Sequence, residues 1–254
     1  MKAEIYLRFF HFLKIFNAFL VLTIFGALSL LVRILSFGFL TEFNRKFFVP
    51  FYCKLILFLL GIKVENKLNF KIDHTPHFYT FNHNSYLDGF VLMSLGLTNT
   101  RFLMSTKMLK FIPATLAAFS IGVLYIPQKK NRTRRLKFFI DLEKRIKKEK
   151  ISIVASSEGV HTYDDYGIAP FNRGVYHMAL ACQMPVVSIF IHTPIESNPS
   201  NNFRLFKNGI VRLELIEIVP IKEWQLLNLD NEIEKVRTLY VTKLHECLQI
   251  EGRI

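Results

Sequence analysis

A short apolar run in residues 186–191 constrains the fold more than any other feature of the chain. Its six side chains, Val-Val-Ser-Ile-Phe-Ile, include a single polar residue, Ser188. A strand with one face in water alternates apolar and polar residues, so an almost unbroken run predicts a strand that is covered on both faces. Strands of this kind belong to sheets with helices on both sides, and this places the chain in the α/β class.

Strand-like and helix-like segments alternate through the remainder of the chain. This alternation predicts a mostly parallel or mixed central sheet flanked by helices. Within residues 212–217, apolar and polar side chains alternate, which predicts an edge strand. The predicted strands are 68–72, 77–81, 123–126, 151–155, 186–191 and 211–219, and the predicted helices are 86–95, 114–120, 134–149, 172–181 and 231–250.

The N-terminal region is rich in apolar side chains. Residues 15–32 lie between Lys14 and Arg33 and contain no charged side chain. A helix of this length is about 27 Å long, which barely spans the apolar core of a bilayer. Arg8 and Lys14 interrupt the apolar core that a secretory signal peptide would need, so we expect a membrane anchor instead.

A second apolar stretch, residues 47–62, contains Lys54 and is less suited to cross a bilayer. We therefore expect a membrane-associated element of two helices in residues 1–62, with one helix spanning or deeply embedded and the other lying in the interface. No linker rich in proline, glycine or serine divides the rest, so residues 63–254 are predicted to form one catalytic domain.

A histidine precedes an aspartate by five positions where the strand predicted at 77–81 turns into a helix. An imidazole titrates near neutral pH, and a carboxylate held beside it suits the removal of a proton from a substrate hydroxyl. His83 and Asp88 are therefore candidate catalytic residues. Ser85 and Asp88 also have the spacing of a helix capping box, so these residues taken alone fit a structural turn equally well.

The chain resembles the glycerolipid acyltransferases typified by lysophosphatidate acyltransferase in four blocks that occur in the family's order. The first block, Asn-His-x-Ser-x-x-Asp, is matched by Asn82, His83, Ser85 and Asp88. The other blocks are matched by residues 107–113 with 122–126, by 157–159 with 171–174, and by 184–189.

This resemblance implies an O-acyltransferase that moves a fatty acyl chain to the free hydroxyl of a lysophospholipid, with 1-acylglycerol 3-phosphate as the favoured acceptor, in phospholipid biosynthesis. His83 would act as general base and Asp88 would orient its imidazole. Glu158 and Gly159 would help to hold the acceptor. The donor would be an acyl thioester, carried by CoA or by acyl carrier protein, and no cofactor is implied.

Two departures from the family pattern concern the acceptor. Gln128 and His161 occupy positions where the family carries arginines associated with the acceptor's phosphate, and neither side chain replaces a guanidinium. Lys107 and Arg173 lie in matched blocks and are candidate binders, and Lys129 and Lys130 are further substitutes. Another lyso-lipid acceptor stays open. Asn82 and Ser85 are expected to shape the turn near the site.

The chain is strongly basic, with a formal net charge of +13. Much of this charge lies in residues 129–150, where apolar side chains recur at helical spacing and predict an amphipathic helix with a basic outer face. Anionic membrane lipids are the preferred partner of this face, and a solvated face without a partner is the alternative. No nucleic-acid motif accompanies the charge. A basic, membrane-anchored binding protein without catalytic activity is the alternative function.

The cysteines and histidines indicate neither disulfides nor a metal site. Cys53, Cys182 and Cys247 are far apart and form no C-x-x-C pair, which indicates a reducing compartment. We accordingly expect the catalytic domain on the cytoplasmic face of a membrane. His74 and His77 have a metal-like spacing but lack a third ligand, so no metal is predicted.

Overall fold

The computed structural model describes residues 2–69, 75–128, 130–159, 161, 167–202 and 205–253, without the side chains of residues 2–5 and 7. Within these residues, seven strands form a single sheet. They are β1 (Ile62–Lys67), β2 (Phe78–Phe81), β3 (Thr100–Ser105), β4 (Leu124–Ile126), β5 (Ser152–Ser156), β6 (Val186–His192) and β7 (Gly209–Val219).

Helices connect and cover these strands. The α-helices are α1 (Lys2–Leu35), α2 (Thr41–Phe43), α3 (Val49–Leu59), α4 (Asp88–Met93), α5 (Ile112–Ile121), α6 (Arg132–Glu149), α7 (Arg173–Ala181) and α8 (Leu229–Ile250). A π-helical segment, Asn44–Phe48, joins α2 to α3, and short 3-10 segments occupy Thr106–Lys110, Ile195–Ser197 and Ile221–Glu223.

The strands lie in the order β1-β7-β6-β2-β5-β3-β4. Neighbouring strands run parallel except for β6 and β7, which are antiparallel. The predicted α/β class, with a mostly parallel sheet flanked by helices, is therefore confirmed. β6 is buried at every position, as its unbroken apolar run predicted.

The prediction that residues 212–217 lie in an edge strand was wrong. β1 pairs with β7 along its length, from Ile62 opposite Gly209 to Lys67 opposite Glu214, and so forms the edge itself. Two polar side chains of β7 have ionic partners on neighbouring elements: Glu214 Oε2 lies 2.7 Å from Lys243 Nζ of α8, and Arg212 Nε lies 3.3 Å from Glu65 Oε2 of β1. Alternation in a sequence reports the two faces of a strand and not its neighbours in the sheet.

Two other strand predictions also differ from the structure. The strand expected at residues 68–72 is misplaced, since β1 ends at Lys67 and residues 70–72 lie outside the described part of the chain. β3 was missed, because its six residues, Thr-Arg-Phe-Leu-Met-Ser, are polar at both ends. The remaining predicted strands and helices occur within a few residues of their expected positions.

The N-terminal helices share a hydrophobic core with the sheet. Ala18 and Leu22 of α1 pack in one buried cluster with Ile56 of α3, Ala117 of α5 and Val187 of β6. A Cβ atom at Gly26 would lie 3.2 Å from the Pro113 carbonyl oxygen, so the absence of a side chain at this position lets α1 approach α5 closely. The core continues across residue 62, and the division into 1–62 and 63–254 stays a prediction.

The opposite face of α1 is apolar and exposed. The segment Arg8–Leu35 is long and apolar enough to cross a membrane. This helix extends along the sheet, because His11 packs against Phe206 before β7 while Arg33 bonds the carbonyl group of Phe119 at the end of α5. Its exposed apolar side chains include Phe9, Phe12, Phe16, Phe19, Ile24, Leu28, Leu31, Ile34 and Leu35.

Candidate active site

His83 and Asp88 meet at the carboxyl edge of the sheet. His83 lies in the loop that follows β2, and Asp88 is the first residue of α4. The Nδ1 atom of His83 lies 2.9 Å from Oδ2 of Asp88, with the His83 side chain 29% exposed and the Asp88 side chain fully buried. The structure therefore brings together the two residues that the sequence singled out for proton transfer, with the carboxylate behind the imidazole.

The loop between them is closed by side chains. The Ser85 N–H donates to Asp88 Oδ2 at 3.1 Å, and the Leu87 N–H donates to Ser85 Oγ at 3.1 Å. Because these bonds form a turn, α4 begins at Asp88 and not at the predicted residue 86, and Leu87 occupies the N-cap position expected for Ser85.

Asn82 joins the same loop to β6. Its Nδ2 donates to the Ile191 carbonyl oxygen at 2.9 Å, and its Oδ1 accepts from the Ile191 N–H at 2.8 Å. The side chain thus pairs with a strand as a backbone amide would, just after β2 ends. These two hydrogen bonds of the buried Asn82 amide fix the start of the loop that carries His83.

Burial controls the acidity of Asp88. Removal from water raises the pKa of Asp88, while the hydrogen bond and the charge of His83, followed by the backbone N–H groups of the turn, act in the opposite direction. A buried carboxylate with these donors stabilises a positive imidazole beside it more strongly than an exposed one would.

Glu158 lies at the same edge, just beyond the end of β5. Its Oε1 accepts a hydrogen bond from the backbone N–H of His83 at 3.0 Å. Burial raises the pKa of Glu158 to about 7, against the opposing effect of that hydrogen bond. The family resemblance implied a role in holding the acceptor, and this direct contact with the backbone of His83 was not predicted.

Gly159 is required by the local backbone. It has φ +70°, and a Cβ atom there would lie 2.5 Å from Nδ2 of Asn172. Asn172 in turn donates its N–H to the Ser157 carbonyl oxygen at 2.6 Å and caps α7 by accepting from the Gly174 N–H at 3.0 Å. The two halves of the third sequence block therefore lie against each other.

Arg173 and Lys107 differ in their relation to the site. Arg173 lines a cavity of about 560 Å³ together with Glu158, and its Nε lies 2.8 Å from Asp230 Oδ1. Lys107 is exposed in the 3-10 segment after β3, and within the described residues no hydrogen bond or ion pair joins its ammonium group to the other candidate residues. The binding roles of both residues stay predictions.

The cavity beside Glu158 contains two residues that the sequence did not propose as binders. Arg132 and Arg135, from the first turns of α6, line it with Phe139 and Pro170. The Arg135 guanidinium lies 5.2 Å from the centre of the Phe139 ring and donates to the Pro127 carbonyl oxygen at 3.0 Å. Their only signal in the sequence was membership of the basic run at 129–150.

The two positions that depart from the family pattern have different surroundings. Gln128 Nε2 donates to Ser105 Oγ at 2.8 Å and to Thr106 Oγ1 at 3.0 Å, so its amide ties the end of β4 to the end of β3. Lys129, an expected substitute for the missing arginine, lies outside the described residues.

His161 lies directly beside the catalytic candidate. Its ring centre is 5.0 Å from that of His83, and it stacks on Tyr86 at the same distance. Burial, and then the charge of His83, lower the pKa of His161 to about 4. This environment keeps the ring neutral at neutral pH, so His161 does not replace the positive charge of a guanidinium. His74, one of the two histidines weighed as metal ligands, lies outside the described residues.

Comparisons with known proteins agree with this geometry. The family model described as Acyltransferase matches residues 61–192. The human 1-acyl-sn-glycerol-3-phosphate acyltransferase beta is 23% identical over 196 residues, which cover 77% of this chain and 69% of that protein. The 1-acyl-sn-glycerol-3-phosphate acyltransferase of Escherichia coli is 26% identical over 167 residues, which cover 65% of this chain and 66% of that protein.

A solved structure shares the fold. The crystal structure of the 1-acyl-sn-glycerophosphate (LPA) acyltransferase PlsC from Thermotoga maritima superposes with a TM-score of 0.64 at 17% identity, covering 92% of this chain and 97% of that one. The family match spans the strands and loops that carry His83, Asp88, Glu158 and Gly159. The chain therefore belongs to the acyltransferase family.

Proposed function

We propose that the protein transfers a fatty acyl chain from an acyl thioester to the free hydroxyl of a lysophospholipid, with 1-acylglycerol 3-phosphate as the leading acceptor, in phospholipid biosynthesis. The observation that carries this proposal is the contact between His83 Nδ1 and the buried carboxylate of Asp88 at the carboxyl edge of the sheet. Membership of the acyltransferase family and the names of the similar proteins support the choice of reaction and acceptor.

His83 would act as the general base. Because Nδ1 faces Asp88, Nε2 is the ring nitrogen that takes the proton from the acceptor hydroxyl. The hydroxyl oxygen attacks the thioester carbonyl carbon, a C–O bond forms, and the C–S bond breaks. The imidazolium then returns the proton to the departing thiolate. Asp88 holds the ring and stabilises its charge, and no acyl-enzyme intermediate or cofactor is needed.

Glu158 would position the base and the acceptor. Its carboxyl group holds the His83 backbone, and it borders the cavity that Arg132, Arg135 and Arg173 line. Guanidinium groups bind phosphate well, so this cavity is suited to a phosphate of the acceptor or of CoA. Gly159 allows the backbone turn that brings Asn172 to the same place. Lys107 follows β3 at the same edge and is a further candidate binder.

A second acceptor class is supported by the surroundings of Gln128 and His161. Gln128 is tied to β3 by hydrogen bonds, and the environment of His161 keeps its ring neutral, so neither position provides the fixed positive charge that the family pattern has there. A lyso-lipid whose phosphate carries less charge, such as a phosphodiester, fits this part of the site as well as a phosphate monoester does.

We also propose that the protein works at a membrane, with its catalytic domain on the cytoplasmic face. The exposed apolar face of α1 supports membrane attachment, because a face of this size is unfavourable in water. Membrane lipids and the two lipid substrates are the partners implied, with acyl carrier protein as an alternative donor. A helix that packs one side on α3 and α5 suits lipid on its other side.

An assay of the purified protein tests the function. Labelled acyl-CoA and acyl carrier protein thioesters are supplied with lysophosphatidate, lysophosphodiesters and an amino-acid-linked lyso-lipid, and labelled products are separated. We expect transfer to at least one acceptor, with lysophosphatidate preferred. Efficient transfer to lysophosphodiesters alone would replace the leading acceptor with the second class, and absence of transfer to every acceptor would contradict the enzyme.

A further inference from the structure

A second cluster of ionisable side chains lies at the opposite edge of the sheet from His83. Arg101 is the second residue of β3, and Val123 and Leu124 mark the start of β4, so the cavity that they line is at the amino edge of the parallel strands. His83 and Glu158, in contrast, follow the carboxyl ends of β2 and β5. The cavity is therefore separate from the candidate active site.

Arginines dominate this cavity, which has a volume of about 400 Å³. We call it the arginine cavity, after Arg33, Arg45, Arg101 and Arg145, which line it together with Glu42, the single acidic residue among the described residues that border it. These residues come from α1, the π-helical segment, β3, α6 and α2, so five elements of the fold converge on it.

The acidic side chains do not balance the arginines. Glu42 Oε1 bonds Arg45 and lies 3.7 Å from Arg101 Nη1, so a single carboxylate is shared between two guanidinium groups. Arg145 pairs with Glu149 at 2.9 Å on the surface of α6. The guanidinium group of Arg33 bonds the carbonyl oxygen of Phe119, which is neutral. Positive charge thus exceeds negative charge around the cavity.

Two of the arginines are buried deeply enough for this excess to matter. Arg45 is 7% exposed and Arg101 is 9% exposed, and the Nε of Arg101 is buried without a hydrogen-bond partner within the described structure. Burial lowers the pKa of Arg45 to about 10, with the charge of Arg101 acting in the same direction. A buried guanidinium is unfavourable unless an anion or acceptor compensates it.

Capping of α5 explains only part of the cluster. Arg33 bonds the carbonyl group of Phe119, and Arg45 Nε donates to that of Ile121 at 2.8 Å, so both stabilise the end of this helix. Neither Arg101 nor Arg145 has such a bond to α5 among the described contacts. An arrangement that brings four guanidinium groups to one cavity is typical of phosphate binding.

The neighbouring turn indicates where such a phosphate would come from. Gly38 and Phe39 line the arginine cavity, and the turn that they form follows the C-terminal end of α1. Phe37 is 92% exposed and Phe39 is 89% exposed, next to the exposed Ile34 and Leu35. Exposed aromatic side chains at the end of a long apolar helix suit the headgroup level of a membrane, where lipid phosphates are found.

We propose that the arginine cavity binds the phosphate group of an anionic membrane lipid, at a site distinct from the one where acyl transfer takes place. Phosphate oxygens would accept from the guanidinium groups of Arg33, Arg101 and Arg145, while Phe37 and Phe39 insert among the lipids beside it. Free phosphate carries the same chemistry and is the other possible source. The site would hold the amino edge of the sheet to the bilayer surface while the carboxyl edge carries out the reaction.

Vesicle binding of the full-length protein tests this proposal. Wild type is compared with the double variant Arg33→Gln/Arg145→Gln on phosphatidylcholine vesicles with and without phosphatidylglycerol. The matched control is Lys144→Gln/Lys148→Gln, which removes the same charge from exposed positions of α6 that do not line the cavity. We expect the arginine variant to lose about tenfold in affinity for the anionic vesicles and the lysine control to lose much less.

Other outcomes of this experiment would overturn the proposed lipid site. Equal loss in both double variants, or no loss in either, would overturn the proposal, because a general electrostatic attraction would then account for binding. Arg33 caps α5, so the single variant Arg145→Gln, which leaves that cap in place, is measured as well, and thermal unfolding is recorded for every variant. An increase in Tm with inorganic phosphate that the arginine variant lacks, without a preference for anionic vesicles, would keep the anion site and overturn the lipid as its source.

Discussion

The two edges of the sheet hold buried ionisable groups of opposite character. At the carboxyl edge, His83, Asp88 and Glu158 are joined by hydrogen bonds, and burial shifts the pKa of both acids upward. At the amino edge, Arg45 and Arg101 keep their charges at neutral pH and share a single carboxylate. The carboxyl edge is therefore suited to move a proton, whereas the amino edge presents fixed charge.

The largest effect should come from removing the base at the carboxyl edge. We expect His83→Ala to lower kcat by about 10² to 10⁴-fold, because a positioned general base contributes a factor of this size. Asp88→Asn should lower kcat less, since the ring would remain but lose the carboxylate that stabilises its charge. Labelled acyl transfer measures both, with thermal unfolding as a check of folding. Full activity in His83→Ala would leave the carboxyl edge with only a structural role, as in the non-catalytic binding protein.

Glu158 should make the stability of the fold depend on pH. Its pKa is raised from 4.5 to about 7 in the folded protein, so the folded state binds a proton more tightly than the unfolded one. The contribution of Glu158 to stability is therefore fully present below about pH 4.5 and is lost as the pH rises through about 7, a change of about 3 kcal/mol.

Glu158→Gln isolates this effect, because the amide oxygen can still accept from the His83 N–H. We expect the Tm of wild type to fall between pH 5 and pH 8, and the Tm of the variant to fall by less. Asp88, whose pKa is also raised, accounts for the decrease that remains in the variant. The measurement is thermal unfolding at both pH values. An unchanged difference in Tm would show that the Glu158 carboxyl group is better solvated than its position indicates.

At the carboxyl edge, an alanine substitution should lower the stability of the fold at Gly159 but not at Gly89. Gly159→Ala places a Cβ atom 2.5 Å from Nδ2 of Asn172 at φ +70°, so we expect about 2 kcal/mol of lost stability. Gly89→Ala is the matched control, because a Cβ atom there meets nothing within 4 Å and α4 favours alanine. Denaturant unfolding compares them, and equal stability of the two variants would contradict the predicted strain.

At the amino edge, removing the charge of the shared carboxylate, Glu42, should lower the stability of the fold. We expect Glu42→Gln to lower the free energy of unfolding by about 1 to 2 kcal/mol, because it removes the carboxylate that the guanidinium groups of Arg45 and Arg101 share. The control is Glu149→Gln, which breaks the exposed pair with Arg145 and should cost less than about 0.5 kcal/mol. Urea unfolding measures both. Similar small losses would indicate that water already compensates the charge of Arg45 and Arg101.

Local sequence patterns predicted much of this molecule. The apolar run at 186–191 indicated a buried strand, and β6 is buried throughout. The spacing of His83 and Asp88 predicted a pair across a turn, and the structure joins them at 2.9 Å. These features depend on residues that are close in sequence, where the periods of strand and helix and the reach of a short loop decide the geometry.

Features that join distant segments could not be predicted in the same way. The pairing of β1 with β7 turned a presumed edge into an inner strand. His161 came to lie beside His83, and Glu158 bonded to its backbone, although 75 residues or more separate each of them from His83. No local pattern encodes these neighbours, because strand order and register depend on how the whole core packs.

The amino acid order alone was sufficient for the α/β class, the apolar N-terminal helix and the acid beside the histidine, since each follows from short-range periodicity and spacing. The arginine cavity arises only on folding, where residues 33, 45, 101 and 145 come to line one space, and two of them share a carboxylate. The sequence gives only the number and order of the basic side chains. Whether water, an acid or a bound anion compensates each of them depends on burial, which is a property of the folded chain.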